Sequence, residues 1–385
     1  MRYFNEQGSL VIKSWCDNPE EGAIEQARNL ARLPFAFRQI CLMPDVHQGY
    51  GMPIGGVMAT QGVVVPNAVG VDIGCGMCAV KTSSTEINID SLKSILGMIR
   101  KLVPVGFNKH QQLQSVMLMP ETEITESIVT REYLNARKSV GTLGGGNHFI
   151  EIQKGDDGYI WIMVHSGSRN LGKQVADHYN KVAKEINAKY YSMVLPEWDL
   201  AFLHNDSLEG QSYLSEMRYC VDFALCNRSL IMTRIQECFD MFQNVSFGPM
   251  INIAHNYAQM ENHFGQNVMV HRKGATLARE NTIGIIPGSQ GTSSYIVKGK
   301  GNPDSFTSCS HGAGRAMGRK QAERTLDLEA EQKRLDYKGI LHSVRGVHDL
   351  DEAAGAYKDI ETVMAEQSDL VTILVRLEPL AVVKG

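Results

Sequence analysis

Polar residues set among glycines at the ends of short apolar runs constrain this chain more than any other feature. The segments are DVHQGYGMPIGG, VGVDIGCGM, GTLGGGNHF, VHSGSRNLG, IPGSQGTSSY and SHGAGR. Glycine lets the backbone turn sharply and lets a ligand approach it closely. Loops held on a rigid scaffold are also where binding and catalytic groups concentrate. Loops of one kind, repeated along the chain, imply one shared site that the fold must assemble from distant pieces.

The runs between those loops set the fold class. Short β-branched or apolar stretches predict strands over residues 39–43, 57–65, 160–164, 268–270, 283–286, 295–298 and 371–377. Residues 19–33 predict an amphipathic helix, with Pro19 in the first turn and Ile24, Ala27, Leu30 and Ala31 on one face. Residues 173–190 and 208–242, rich in helix formers and free of proline, predict two more. Helices and strands do not alternate regularly, which disfavours a doubly wound or barrel α/β fold and points to α+β. No Pro/Ser-rich linker or repeat divides the chain, so residues 1–385 are expected to form a single domain.

Composition excludes several functions. With 43% hydrophobic and 21% charged residues the chain can bury a sizeable core and is not disordered. No apolar run reaches the roughly 18 residues a membrane helix needs, and the start, MRYFNEQGSL, has no basic segment leading into an apolar one. The expectation is a cytoplasmic protein without a membrane partner. The eight unevenly spaced cysteines are then expected to be reduced thiols. A formal net charge of −4 argues against a protein that coats or slides along nucleic acid. It does not argue against an enzyme that grips only a strand end.

Within the loops stands a set of candidate metal ligands. VGVDIGCGM offers Asp72 and Cys75 three apart in a glycine-flanked turn, GGGNHF offers His148, VHSGSR offers His165 and AHNYAQ offers His255. Imidazoles, a thiolate and a carboxylate suit one or two transition-metal ions. On ligand type alone the ion would be zinc or cobalt, because manganese binds such groups more weakly. Taken singly, each residue has a plainer explanation. A histidine at a strand end is more often a hydrogen-bonded structural residue than a ligand, and a free cysteine is most often a small buried hydrophobe. Cys75 and Cys78 also spell C-x-x-C, but no second such pair and no thioredoxin-like context accompany it.

A second group of signals suits phosphate. GTLGGGNH resembles a phosphate cradle without being a Walker A or Rossmann motif. HRKGAT places Arg272 and Lys273 before a glycine, and residues 287–295 supply amides and hydroxyls suited to an anion nest. Each alone reads as a polar turn. His311 adds weight to them, because only small residues, Gly312, Ala313 and Gly314, follow it before Arg315. A core histidine wants packing neighbours, whereas a histidine that a bulky group must approach wants this bareness. Imidazole can attack phosphorus and store an activated nucleotide as a phosphoramidate, with Arg315 placed to neutralise phosphate charge.

These motifs, in this order and over nearly the whole chain through to the final VKG, resemble the RtcB-type RNA ligases. The resemblance implies an α+β fold with a sheet curved into a half-barrel and flanking helices. It implies a GTP-dependent ligase with two manganese ions that joins an RNA 3′-phosphate or 2′,3′-cyclic phosphate to a 5′-hydroxyl, in RNA repair or tRNA splicing. It implies that His311 is guanylylated and passes GMP to the RNA 3′-phosphate, and that Asp72, Cys75, His148, His165 and His255 hold the metals, with Cys75 bridging them. Asn147, Glu151, Asn256, Pro287, Gly288, Ser289, Ser294, Gly312, Ala313, Gly314, Arg315, Tyr357 and Lys384 fall on the family's guanine-nucleotide site. An archease-like activator is a candidate protein partner. Gly145 and Gln290 depart from the commoner pattern, where threonine and methionine are frequent, and suggest a divergent bacterial paralogue.

Two rival readings use the same residues. A metal-dependent phosphoesterase acting on RNA ends would need Asp72, Cys75 and the histidines but neither His311 nor Lys384. A non-catalytic RNA-binding subunit would keep the ligands only as relics, which a complete ligand set opposes.

Overall fold

A computed structural model describes residues 1–121 and 127–385. Its centre is two sheets laid against each other. The first has six strands in the order Arg2–Phe4, Val11–Ser14, Ala36–His47, Ile54–Thr60, Gln266–Lys273 and Asn256–His263. The second has seven, in the order Ile251–Ala254, Gly76–Lys81, Ile160–Ser166, Phe149–Gly155, Val371–Lys384, Ser294–Gly299 and Ile283–Ile286. The two edge strands of the second sheet pack against each other, so it curls into a nearly closed barrel. Pairing is antiparallel except between Val11–Ser14 and Ala36–His47, and helices flank the sheets. The α+β expectation is met.

Strand alternation explains the packing. Along Ala36–His47, Ile40 and Leu42 face a cluster with Ala23, Ile24, Ala27 and Leu30 of the helix Glu21–Ala31. Cys41 and Met43 point the other way, to Ile286, Tyr295 and Val297 of the second sheet. Each fully buried aliphatic side chain of this kind contributes about 1.5–3 kcal/mol. The layer between the sheets is therefore a core, and the site lies at its open end.

The longest helix, Leu208–Asp240, starts at Ser207, whose hydroxyl accepts the Gly210 amide at 3.0 Å. Its first half packs Tyr213, Met217 and Phe223 into one apolar cluster, and its second half packs Ile231, Ile235 and Phe239 into another beneath the barrel. A helix buried on most sides has no single apolar stripe. That property lets it carry polar groups inward at its middle, where Asn227 and Arg228 are fully buried.

Several sequence expectations need adjustment. The run 57–65 is not one strand: Ile54–Thr60 and Val63–Val64 are separated by a turn at Gly62, whose φ of +71° ends the extended path. The first helix begins after Pro19, at Glu21, and ends at Ala31. The C-terminal strand runs beyond residue 377 to Lys384, and Pro379, which lacks an amide hydrogen, stands at a register shift. All eight cysteines are free, and among the described residues no helix is long and apolar enough to cross a membrane.

Candidate active site

The glycine-rich loops converge on a cavity of about 1000 Å³. The six-stranded sheet supplies one wall through His47, Ile54 and Lys273, and the barrel supplies the facing wall through Phe149, Glu151, His165 and Lys384. A volume of that order accommodates a nucleotide or drug-sized ligand.

At the cavity floor, Cys75 closes a turn that begins at Gly70. Its Sγ lies 3.4 Å from His148 Nε2 and 3.3 Å from His165 Nε2. One donor atom from each residue falls within 4.8 Å of the others, and all three are buried. Asp72 Oδ2 stands 3.5 Å from His148 Nε2. The His255 ring meets the His165 ring edge-on at 5.2 Å and the His311 ring at 4.7 Å. The predicted ligands are thus brought together, with Cys75, His148 and His165 forming the tight group, Asp72 beside His148, and His255 between that group and His311.

The donor chemistry fits a cation. His165 Nδ1 is 3.1 Å from the Asn147 carbonyl, a contact that places its proton there and leaves Nε2 as a lone-pair donor. Burial, then the neighbouring His148 and His311 charges, drives the His165 imidazole well below its ordinary pKa, and burial with the His311 and His165 charges does the same to His255. Both are therefore neutral, as ligands must be. Among the described residues the Nδ1 atoms of His148 and His255, both buried, have no hydrogen-bond partner. Glycine is required beside this group: a Cβ on Gly144, whose φ is +98°, would lie 2.4 Å from His148 Nδ1 and 2.3 Å from Arg169 Nη1. At Gly145 the nearest atom to an added Cβ is Gly106 Cα, at 3.6 Å, so that departure leaves the packing intact.

His311 follows the strand Ser308–Ser310. One oxygen of Asp45, Oδ2, accepts the His311 amide at 3.0 Å and the Gly312 amide at 3.2 Å, and lies 2.6 Å from His311 Nδ1. Asp45 is fully buried at the end of Ala36–His47. Gly314, with φ +72°, lies flat on it, where any Cβ would meet the Asp45 carbonyl oxygen at 2.2 Å. Lys358 Nζ donates to the carbonyls on either side of Asp45, Pro44 at 3.1 Å and Val46 at 2.6 Å. The carboxylate therefore fixes Nδ1 as the protonated nitrogen, and Nε2 carries the free lone pair.

Beside the barrel wall, Glu352, at the end of the 3-10 helix Val347–Glu352, gathers cations. Its carboxylate meets Arg315 Nη1 at 3.2 Å, Arg319 Nη2 at 3.1 Å and Lys384 Nζ at 3.7 Å, and it accepts the Tyr357 hydroxyl. Burial alone would raise its pKa, but Lys384, then the tyrosine, Arg319 and Arg315, hold it below the usual value. Glu151 has weaker company. Burial pushes its carboxyl up to about 7, against the Gln153 amide and Lys384.

Of the predicted nucleotide residues, Asn147, Glu151, Asn256, Pro287, Gly288, Ser289, His311, Gly312, Ala313, Gly314, Arg315, Tyr357 and Lys384 line the cavity. Ser294 does not. Its hydroxyl accepts the Gly288 amide at 3.1 Å and the Gln153 amide group at 3.2 Å, behind the wall. Arg272 also departs from its reading as a phosphate-binding residue: it is fully buried, paired with Glu261, and donates to Ser308 Oγ at 2.9 Å. Adjacent residues of a strand face opposite ways, so only Lys273 of that pair reaches the cavity. Cys78 likewise points away from Cys75 into the core beneath the barrel.

Sequence reasoning passed over Asp45, Glu352, Arg319, Lys358 and the helix pair Asn227 and Arg228. Asn227 accepts the Gly141 amide at 2.7 Å and donates to the Gly167 carbonyl at 3.1 Å, while Arg228 donates to the Gly74 carbonyl at 3.0 Å and the Ser166 carbonyl at 2.9 Å. These carbonyls belong to residues next to Cys75 and His165, so the helix ties the ligand loops together. The signal was a polar pair, Asn227 and Arg228, set between the apolar residues Phe223, Ala224, Leu230 and Ile231.

An imidazole with one nitrogen pinned by a buried carboxylate, set beside a thiol and histidine group whose chemistry fits a cation, in a cavity of nucleotide size, suits metal-assisted phosphoryl or nucleotidyl transfer. The chain belongs to the RtcB family. The family model described as tRNA-splicing ligase RtcB matches residues 26–128 and 117–385. The RNA-splicing ligase RtcB of Escherichia coli K12 is 37% identical, covering 97% of each chain. The tRNA-splicing ligase RtcB of Methanococcus maripaludis is 33% identical over 96% of this chain and 92% of its own, and that of Thermococcus kodakarensis 30% over 95% and 92%.

Proposed function

We propose that the protein is an RNA ligase that joins an RNA 3′-phosphate or 2′,3′-cyclic phosphate end to a 5′-hydroxyl end, with GTP as the activating nucleotide. The observation that carries this reading is His311, whose Nδ1 is held at 2.6 Å by a buried carboxylate while the ring borders the cavity. Its relatives' names supply the substrate class.

In this reading His311 Nε2 attacks the α-phosphorus of GTP, forming an N–P bond as pyrophosphate leaves. Asp45 balances the positive charge that the ring gains. An oxygen of the RNA 3′-phosphate then takes the GMP and frees Nε2, and the 5′-hydroxyl finally attacks the 3′-phosphorus and expels GMP. Two manganese ions would be held by Asp72, Cys75, His148, His165 and His255, and when bound would withdraw charge from the phosphate oxygens. Glu151, buried and on the barrel wall, is matched to the N1 and N2 donors of guanine, with Lys384, Tyr357, Arg315 and Asn147 around it.

Incubating the protein with manganese and α-labelled GTP is the direct test. The expected product is protein carrying label through an acid-labile, alkali-stable bond, with loss of the label on adding RNA that bears a 3′-phosphate. Phosphate release from the RNA end without labelled protein would instead establish a phosphoesterase.

The metal assignment predicts unequal cysteines. Cys75→Ser is expected to lower bound manganese and ligation by at least about tenfold, whereas Cys78→Ser, in the core, should change both less than about twofold. Metal analysis and a joining assay on the two variants decide it, and equal losses would revive the paired-cysteine reading.

A further inference from the structure

At the mouth of the cavity, on the loop after Ala36–His47, stands Tyr50. The residue lines the cavity and is 79% exposed. Among the described residues the phenol has no hydrogen-bond partner and its ring meets no other aromatic ring. An exposed aromatic residue on a slack loop would call for no explanation. The backbone here is not slack. Gln26 grips the preceding residue from both sides, donating to the Gly49 carbonyl at 2.7 Å and accepting its amide at 3.0 Å. Lys273 Nζ donates to the Tyr50 carbonyl at 2.6 Å and to the Asn67 carbonyl at 3.1 Å. Gly51, at φ +65°, is pressed against the Asp199 carbonyl, which an added Cβ would meet at 2.6 Å. The chain is pinned on both sides of a largely exposed ring, so the ordering serves whatever comes to that ring.

We propose that Tyr50 is a stacking platform for a nucleobase of the RNA end held in the cavity, a role that rests on the RNA ligase reading. A flat ring with a free face takes any base, because every base has a π-face, and it works best beside cations that hold the phosphate backbone. Lys320, exposed, and Arg319, half-exposed beside Glu352, line the same cavity. The guanine of the nucleotide is the less fitting occupant. Guanine's N1 and N2 donors need a buried acceptor, and Glu151 stands on the barrel wall, whereas Tyr50 is joined through Lys273 to the six-stranded sheet. Two bases can then lie against two walls with His311 between them, which is the arrangement a transfer of GMP from histidine to an RNA end requires.

The test compares RNA binding with the RNA-independent step. Full-length protein with manganese is titrated into a fluorescein-labelled single-stranded RNA bearing a 3′-phosphate, and the rate of protein labelling by GTP is measured separately without RNA. Tyr50→Ala is expected to weaken RNA binding about tenfold or more, and to affect RNA binding at least about fivefold more than GTP labelling. Tyr50→Phe should bind RNA within about twofold of the parent protein, because stacking needs the ring and not the hydroxyl. Tyr50→Trp should bind as well, with its indole fluorescence quenched on adding RNA. Unchanged RNA binding by Tyr50→Ala overturns the proposal. An equal loss in both assays overturns it in favour of the nucleotide's guanine, and a loss in Tyr50→Phe as large as in Tyr50→Ala overturns it in favour of a hydroxyl contact. Parent protein that takes up GMP but binds no RNA overturns it while leaving the nucleotidyl step standing. Parent protein that does neither removes the ligase reading as well.

Discussion

His311→Ala is expected to abolish transfer of GMP to the protein and the joining of RNA with a 3′-phosphate end, while bound manganese stays near the parent level. In the proposed mechanism the ring is the nucleophile, so no residual rate through a weaker version of the same step remains. The metal group should survive because its tight members, Cys75, His148 and His165, contact one another directly. RNA supplied with a preformed guanylylated 3′ end bypasses the missing nucleophile and should still be sealed. Labelled GMP retained on His311→Ala protein would show that the nucleophile is another residue.

Asp45→Asn should be nearly as damaging, lowering the rate of protein labelling by about 10³-fold, or about 4 kcal/mol of barrier. One carboxylate oxygen faces two backbone amides and the ring nitrogen. An asparagine that keeps its oxygen on the amides can still accept from Nδ1, but without the charge that offsets the developing imidazolium. One that turns its amide group to the ring forces the proton onto Nε2 and blocks the attack. Either outcome depresses the chemical step and leaves GTP binding nearly unchanged. Single-turnover labelling across a GTP titration separates the two, and a defect confined to the apparent affinity for GTP would contradict the assignment.

The contrast between His311 and Asp45 shows what the sequence could disclose. His311 was legible because its bareness is written in adjacent residues, and Asp72 and Cys75 because their turn is local. Asp45 lay in plain view in DVHQGYG, but its partner is 266 positions away and nothing near it says so. Arg272 was misread for a related reason. A basic pair before glycine looks solvated, and only the pairing of Asn256–His263 with Gln266–Lys273 brings Glu261 to bury the first of the two. Ser294 fell one layer out because it begins the strand Ser294–Gly299 with its hydroxyl turned to the Gly288 amide and the Gln153 side chain. The helix Ile89–Leu102 was overlooked although Asn88 caps it and Leu92, Ile95, Leu96 and Ile99 form its buried face, a signal fully present in the sequence. The barrel closure had no such local mark, since it depends on two edge strands meeting across many intervening residues.

The same distances bear on how the protein comes into being. Lys384 reaches a carbonyl 238 residues earlier, and its strand inserts between two strands formed from earlier parts of the chain. Contacts of such long sequence separation form late and slowly, because most of the chain must be ordered before they close. The ligand loops around Cys75, His148 and His165, tied by one helix, can gather before the last strand docks. Refolding from denaturant should then proceed in two kinetic phases, an earlier one that restores metal binding and a later one that restores uptake of GMP.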